Sequence, residues 1–180
     1  QMCGIPTYLA GTEDILEKPV IGTVLTALDA AIGGYDQKDV MRYLRSTLSP
    51  LTTDTCDLIE NYVVMWGIRG KKWTMDWDYH PEGLSGIWTE ENQILLNLLN
   101  DARELSIGPL VKMRKGFLDA SNLREQILSL YNFLEEIHLA DRLCQFAESL
   151  DEAGDNRNAQ ILNQLWEILL TALEQMHDVL

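Results

Sequence analysis

The amino-acid sequence predicts an all-α protein, a bundle-like domain of about seven or eight helices. Apolar residues recur at helical spacing through most of the 180 residues, and capping residues and glycines separate these stretches. Only residues 4–9 resemble a strand. Hydrophobic residues form 46% of the chain and charged residues 23%, a balance typical of a folded globular domain and not of a disordered chain.

The first residues of the chain differ from the rest. The segment GIPTYL, residues 4–9, favours an extended backbone, because Pro6 disfavours helix at Ile5 and the following threonine and tyrosine suit a strand. A single strand cannot satisfy its own backbone hydrogen-bonding groups. We therefore expect residues 1–12 to form a short extended segment and residues 13–180 to form the helical domain.

Three helices are predicted before residue 68, and the apolar stripe of the first runs from Val20 to Ile32. Each stripe has a period near that of an α-helix, and each begins or ends at a residue that suits a helix terminus. These terminal residues are Gly33-Gly34 after the first helix, Asp36 and Ser49-Pro50 around the second, and Thr53 or Asp54 and Gly67 around the third.

From Ile68 to Thr89 the helical period is absent. Trp73, Trp77 and Trp88 stand there among glycines and a proline. Glycine permits tight turns, and a large aromatic side chain can attach a loop to a core. This stretch is therefore predicted to be an ordered loop.

The helical period returns after this loop and continues to the end of the chain. Gly108-Pro109 is predicted to divide the first stretch into two helices, because proline cannot continue the hydrogen-bond ladder of a helix. The predicted stretches are 94–105, 109–117, a helix capped by Ser121, one over 143–150 that stops near Gly154, and a last helix from Asp155 to Met176.

The net charge of −14 is unevenly distributed. Twelve acidic and three basic residues lie from Asp119 to Leu180, whereas the first 118 residues carry sixteen acidic and eleven basic residues. A general nucleic-acid binder needs clustered lysine and arginine side chains to neutralise phosphates. The composition therefore argues against that class, and it predicts that any DNA contact lies in the earlier part of the chain.

The cysteines and histidines lack the spacing of a disulfide framework or a metal site. Cys56 and Cys144 are predicted to be small buried residues on helices, and an odd number of distant cysteines suits a reducing, cytoplasmic compartment. His80, His138 and His177 share no ligand spacing and are expected to lie at the surface or half-buried. We therefore predict no metal ligand in this chain.

No motif of a familiar catalytic or nucleotide-binding site occurs: there is no P-loop, no dinucleotide-binding glycine pattern, no zinc-protease motif and no serine-hydrolase motif. Adjacent acids such as Glu135-Glu136 and Asp151-Glu152 point in different directions on a helix, so they predict a solvated acidic face, as do Asp76 and Asp78. The sequence thus predicts no catalytic residue, no cofactor and no membrane-spanning segment.

One basic cluster is a candidate for DNA contact. Arg69, Lys71 and Lys72 lie on a glycine-containing stretch between Trp66 and Trp73, with no acid among them. Such cations can bind phosphates, and an exposed Trp73 can stack on a base of single-stranded nucleic acid. Alternatively, both tryptophans are core residues and the cations only solvate the turn. A second basic patch, with the same two alternatives, consists of Lys112, Arg114 and Lys115.

The stretch LIENYVVMWGIRGKKW, residues 58–73, closely resembles a signature of the B subunit of bacterial AddAB/RexAB-type ATP-dependent helicase-nucleases. In that signature a helix containing ENY leads into a four-residue turn of the pattern G-I-[RK]-G. A tryptophan follows this turn. Other stretches resemble the family in the same order, although RST at residues 45–47 replaces the usual leucine-lysine-threonine-glycine ending. They are GIPTYL at residues 4–9, YDQKDVMRYLRSTL at residues 35–48, LYNFLEE at residues 130–136 and the final helix containing QLW.

The resemblance implies that residues 1–12 are the end of a motor-like domain and that residues 13–180 are an inserted accessory domain, similar to the 2B domain of related helicases. It implies a non-catalytic role in double-strand break repair and DNA end resection. The A subunit would be the protein partner, DNA would be bound through the complex, and ATP, magnesium and an iron-sulfur cluster would belong to other parts of the parent protein. The residues alone leave open a stand-alone helical adaptor that binds proteins through an apolar groove.

Overall fold

The computed structural model describes residues 19–46, 49–84 and 86–178. Over these residues the chain folds into seven α-helices and no strand, which confirms the predicted all-α bundle. The extended segment predicted at residues 4–9 and the domain boundary predicted at residue 12 lie outside the described residues. The helices are α1 (Pro19–Ile32), α2 (Gln37–Leu44), α3 (Thr53–Trp66), α4 (Glu90–Asp119), α5 (Leu123–Glu136), α6 (Leu139–Glu152) and α7 (Asn156–Asp178).

Two of the predicted helix ends are confirmed. The carboxylate of Asp36 accepts a hydrogen bond of 3.0 Å from the backbone N–H of Lys38 and so caps α2. Gly67 ends α3 with φ of 58°, a left-handed conformation that glycine adopts without the steric cost that a side chain would add.

Two other predicted caps are wrong by one or two residues. Thr52, not Thr53 or Asp54, caps α3, because its hydroxyl accepts from the backbone N–H of Thr55. Asn122, not Ser121, caps α5, while the backbone N–H of Ser121 donates to the Glu125 carboxylate at 2.6 Å. The side-chain oxygen of Asn122 in turn accepts from the Glu125 N–H. In each case a neighbouring short polar residue competes for the same role.

The break predicted at Gly108-Pro109 is wrong, because α4 continues through Pro109 over 30 residues. The helix packs against α1, α3 and α5 along its length, and Pro109 itself is buried. A proline inside a helix costs about 3 kcal/mol. Burial of apolar side chains along both halves of α4 outweighs that cost, so packing and not local propensity decides the length of this helix.

The helices form one connected core in which α4 is central. On one side, both α1 and α3 pack on α4, and α2 joins the core mainly through its contact with α1. On the other side α5 lies against α4 and connects to the hairpin of α6 and α7. The two sides also meet where the Tyr43 ring lies 6.5 Å from the Phe133 ring, centre to centre. Every helix is thus held by at least one neighbour, as an amphipathic stripe requires.

The cysteine and histidine predictions are confirmed only in part. Cys56 is buried and its thiol donates to the Leu44 carbonyl, but Cys144 is exposed because it lies one position beyond the buried face of α6. His138 is exposed, whereas His80 is buried at 7% relative exposure, contrary to prediction. The side chain of His177 and the whole of Cys3 lie outside the described residues. Among the described helices, none is both long and apolar enough to cross a membrane.

Candidate nucleic-acid interface

The loop between α3 and α4 carries the basic cluster, and buried aromatic rings attach it to the core. It begins with a short 3-10 helix, Gly70–Thr74. Trp73 is 0% exposed, and its ring meets the Trp77 ring edge-on at 5.6 Å. Trp77 in turn stacks on Tyr62 of α3 at 5.0 Å. Aromatic burial therefore gives this loop the order that the sequence predicts.

Side chains of α3 bind the backbone of the loop directly. The Tyr62 hydroxyl donates to the Tyr79 carbonyl and accepts from the Tyr79 N–H, both at 3.0 Å. The Trp66 indole donates to the His80 carbonyl at 3.1 Å and stacks on the Tyr79 ring at 4.7 Å. Burial raises the pKa of Tyr62 to about 12, so the hydroxyl stays neutral and able to donate at physiological pH.

A polar clamp on α4, formed by Asn100 and Arg103, holds the other side of the loop. The Asn100 amide exchanges two hydrogen bonds with the backbone of Trp77, at 2.8 and 2.9 Å. Arg103 is 4% exposed; it donates to the Trp73 carbonyl at 3.4 Å and to the Asp76 carboxylate at 2.7 Å. Sequence reasoning missed both residues. The available signal was a polar pair spaced i, i+3 on the apolar face of α4.

The predicted DNA-contact residues of the loop separate into two groups. Trp73 is fully buried, as the alternative of a core tryptophan expects, and it exposes no ring face on which a base could stack. Arg69, Lys71 and Lys72 are exposed. The Lys72 carbonyl accepts from the Trp77 indole at 3.0 Å, which fixes the backbone beneath these cations. The loop thus presents three positive charges on a rigid support, an arrangement that can bind phosphates.

The second basic patch is mostly occupied by contacts within the protein. Lys112 pairs with the Glu136 carboxylate at 2.6 Å, and this hydrogen bond raises the pKa of Lys112. The Arg114 guanidinium donates to the carbonyl of Ala31 and, at 2.9 Å, to that of Ile32. These are the last carbonyls of α1, so Arg114 has a capping role. Lys115 is exposed.

The turn between α1 and α2 brings the two basic stretches together. The Gly70 N–H donates to the Tyr35 carbonyl at 3.1 Å, and the Arg114 guanidinium lies over the Tyr35 ring, 5.6 Å from its centre. Residues 69–72 and 112–115 are distant in the sequence, yet both border this one turn. The structure therefore brings the first basic stretch and Arg114 of the second to one turn. We call this turn, with the exposed cations Arg69, Lys71 and Lys72 of the adjoining loop, the basic edge.

Three acids of α3 and of the loop form ion pairs within the protein. Asp76 is 92% exposed, as predicted, and it pairs with Arg103. Glu60, the first residue of the ENY stretch, pairs with Arg45 at the end of α2, as does Asp57 at 2.6 Å. Within the described part of the chain, no three histidine, cysteine, aspartate or glutamate residues are grouped as metal ligands would be.

No protein-family model matches the chain. Its relatives include three proteins that each bear the name of the B subunit of an ATP-dependent helicase/deoxyribonuclease and match 98% of this chain. The protein of Clostridium botulinum (strain Langeland) is 30% identical over 178 residues, which are 16% of its length. That of Caldanaerobacter subterraneus subsp. tengcongensis is 29% identical over 179 residues and 15% of its length. That of Ruminiclostridium cellulolyticum is 29% identical over 182 residues and 16% of its length.

These matches place the helical bundle and its aromatic loop among segments of helicase-nuclease subunits. Along 98% of its length the chain is therefore homologous to part of the ATP-dependent helicase/deoxyribonuclease B subunits, the resemblance that the stretch LIENYVVMWGIRGKKW predicts. The chain spans about 16% of the length of these relatives.

Proposed function

We propose that this chain is a non-catalytic helical accessory domain of a B subunit of an ATP-dependent helicase/deoxyribonuclease that acts in double-strand break repair and DNA end resection. The observation that carries the proposal is the match itself, which covers 98% of the chain but only 16% of a relative named for both activities. In this proposal residues 1–12 end a motor-like domain, residues 13–180 form the accessory domain, and the parent protein is cytoplasmic.

The contacts that the residues of the stretch 58–73 make support a scaffolding role for this domain. Tyr62 and Trp66 bind the loop backbone, Trp73 is a core residue, and Glu60 pairs with Arg45. Each of these side chains therefore maintains the shape of the bundle and the position of the basic edge. The relatives are named as B subunits, and this name implies a partner subunit. In our proposal the partner is an A subunit that docks on the longer polypeptide, and DNA is bound through the complex.

ATP, magnesium and the iron-sulfur cluster are assigned by this proposal to other parts of the parent protein. The described residues of this chain bring together no set of three ligand side chains.

Activity assays on the 180-residue chain test the non-catalytic role. We expect the purified chain to neither hydrolyse ATP nor cleave linear duplex DNA with magnesium, under conditions in which the full-length B subunit with its A subunit does both. Magnesium-dependent cleavage that persists through further purification, and that is lost in a carboxylate variant such as Asp78→Asn, would contradict the proposal.

A second part of the proposal is that Arg69, Lys71 and Lys72 contact DNA phosphates. Replacing all three by glutamate should weaken DNA binding by the complex and lower the slope of log affinity against log salt by about 0.9 for each phosphate that is no longer neutralised. Lys38→Glu makes the same type of charge change at an exposed lysine of α2 and serves as the control. Unchanged affinity and salt slope in the triple variant would refute this part of the proposal.

The stand-alone adaptor is the alternative from another functional class. A reading frame that continues on both sides of this chain into motor and nuclease motifs would exclude it. A frame limited to these 180 residues would instead favour it over the accessory domain.

A further inference from the structure

An apolar groove lies between α4 and the start of α3, beside the buried face of α4. Its volume is about 550 Å³, and its lining includes Pro50, Leu51, Ile94, Leu98, Ala102 and Leu105. Ile94, Leu98 and Leu105 are 61%, 43% and 58% exposed, although each is a large apolar side chain. Because these three side chains line one face of α4 together and are not scattered singly, we consider them a candidate interaction surface.

The shape of the row indicates an α-helix as the occupant. Ile94, Leu98 and Leu105 are spaced i, i+4 and i+11 along one helix, so they form a straight stripe. The stripe is about 17 Å long, from a rise of about 1.5 Å per residue, which matches roughly three turns of a second helix. An amphipathic helix that lays its apolar face into such a groove is a recurring mode of recognition.

The charges around the groove indicate the sign of that helix. Asp101 lines the groove, Asp54 lies beside it in the first turn of α3, and Glu90 and Glu91 stand in the first turn of α4. The sequence of α3 holds no basic residue, and the only basic residue between Glu90 and Lys112 is Arg103, which is buried. Basic side chains flanking the apolar face of the occupant would therefore complement this rim.

Two facts select the source of the helix. A second copy of this chain would bring another net charge of −14 to an acidic rim, which opposes association. The chain is about 16% of the length of its relatives, so most of such a polypeptide lies outside this segment. A segment of the same polypeptide is covalently tethered, and its high effective concentration favours it over a separate protein.

We infer that the groove formed by Ile94, Leu98 and Leu105 with Pro50 and Leu51 binds a basic amphipathic helix from another part of the same B-subunit polypeptide. The inference rests on the proposed function, since it requires that this chain be part of a longer subunit. It assigns to this domain an intramolecular docking surface on the first half of α4, separate from the basic edge at Tyr35.

Cysteine labelling tests this inference. Leu98→Cys places a thiol in the groove, and Leu118→Cys places a control thiol at the exposed end of the same helix, where the native side chain is 71% exposed. Each variant is made in the 180-residue chain and in the full-length B subunit and treated with a maleimide. Peptide mass spectrometry reads each position separately, so other cysteines do not interfere. Should Leu98→Cys fail to fold, Ile94→Cys replaces it.

We expect both positions to react readily in the 180-residue chain. In the full-length B subunit without its A subunit, position 98 should react about tenfold more slowly, as a groove occupied about 90% of the time requires, while position 118 is unchanged. A lysine at position 101 also raises the intrinsic reactivity of a nearby thiol, so Asp101→Lys is made in both proteins. The change should bring the rate at position 98 in the full-length subunit closer to the rate in the 180-residue chain, by weakening the attraction between the rim and the basic helix. An unchanged ratio of the two rates would overturn the basic character of the occupant.

Three other outcomes would overturn the inference. Equal labelling of position 98 in both proteins would show that the groove is free. Protection that arises only when the A subunit is added would assign the groove to the partner subunit. Protection that grows with the concentration of the 180-residue chain would assign it to a second copy. None of these results depends on ATPase or nuclease activity, so the inference can fail while the proposed function stands.

Discussion

Removing the hydroxyl of Tyr62 should weaken the attachment to α3 of the loop that carries Arg69, Lys71 and Lys72. In the folded chain this hydroxyl makes two hydrogen bonds of 3.0 Å with the backbone of Tyr79. The Tyr62→Phe variant keeps the ring that stacks on Trp77 and loses only these bonds. We therefore expect a loss of stability that arises from hydrogen bonding alone.

The size of the effect follows from the number of groups left unpaired. A typical hydrogen bond in a folded protein contributes about 0.5–1.5 kcal/mol net, so two bonds amount to about 1–3 kcal/mol. Tyr43→Phe is a matched control. Tyr43 is also fully buried, but its hydroxyl has no hydrogen-bond partner, so its removal should leave stability unchanged or raise it by up to about 1 kcal/mol.

Urea unfolding of both variants, followed by tryptophan fluorescence and by circular dichroism, measures these differences. Tyr62→Phe should lower the free energy of unfolding, and its fluorescence should report early loosening of Trp73 and Trp77. Equal changes in the two variants, or a change in Tyr62→Phe of no more than a few tenths of a kcal/mol, would refute the reasoning that Tyr62 anchors the loop.

Three further predictions concern the same core. Burial raises the pKa values of Tyr43 and Tyr62 from 10.0 to about 12, so stability is fully present below pH 10 and is lost as pH rises through 12. Tyr43, which is fully buried, should contribute about 2–3 kcal/mol to that loss. Urea midpoints measured from pH 9 to 12 should therefore fall less steeply in Tyr43→Phe than in the parent chain, and an equal fall would contradict the assignment. Arg103→Met should destabilise the chain by about 2–3 kcal/mol, because it removes charge-assisted bonds to Trp73 and Asp76. Asp76→Ala changes an exposed carboxylate and should cost less than about 1 kcal/mol. Similar urea midpoints for the two variants would refute the role of Arg103 in holding the loop. Gly86→Ala should lower the free energy of unfolding by about 1–3 kcal/mol, because the new Cβ would lie 2.1 Å from the buried His80 ring. In Gly22→Ala the new Cβ meets nothing within 4 Å, so this change should be neutral or stabilising. Thermal unfolding of both variants shows whether this contrast holds.

The helices could be predicted because each carries a local signal. The stripe from Val20 to Ile32 corresponds to α1 and the residues after Asp36 to α2, since a period of 3.6 residues needs no knowledge of distant contacts. The interruption at Pro109 shows the limit of that reasoning. A proline lowers the local preference for helix, but only the neighbours of α4 decide whether the two halves stay in line.

The candidate site was predictable to a smaller degree. The position of the basic cluster and the order of its loop follow from Trp73, Trp77 and the glycines, yet the choice between an exposed and a buried Trp73 stayed open. The burial of Trp73 accompanies contacts that form only in the folded chain: its ring meets Trp77, and the guanidinium of Arg103, thirty residues away, binds its carbonyl. No local pattern encodes a contact over that separation.

The sequence alone predicts the all-α class, the approximate positions of the helices and, through residues 58–73, the likeness to helicase/deoxyribonuclease B subunits. Tertiary structure alone decided that α4 is continuous, that Arg114 caps α1 and that the two basic stretches meet at Tyr35. The physical reason is the range of the interactions: periodicity and capping act within a few residues, whereas burial, ion pairing and shared turns depend on which segments meet when the chain folds.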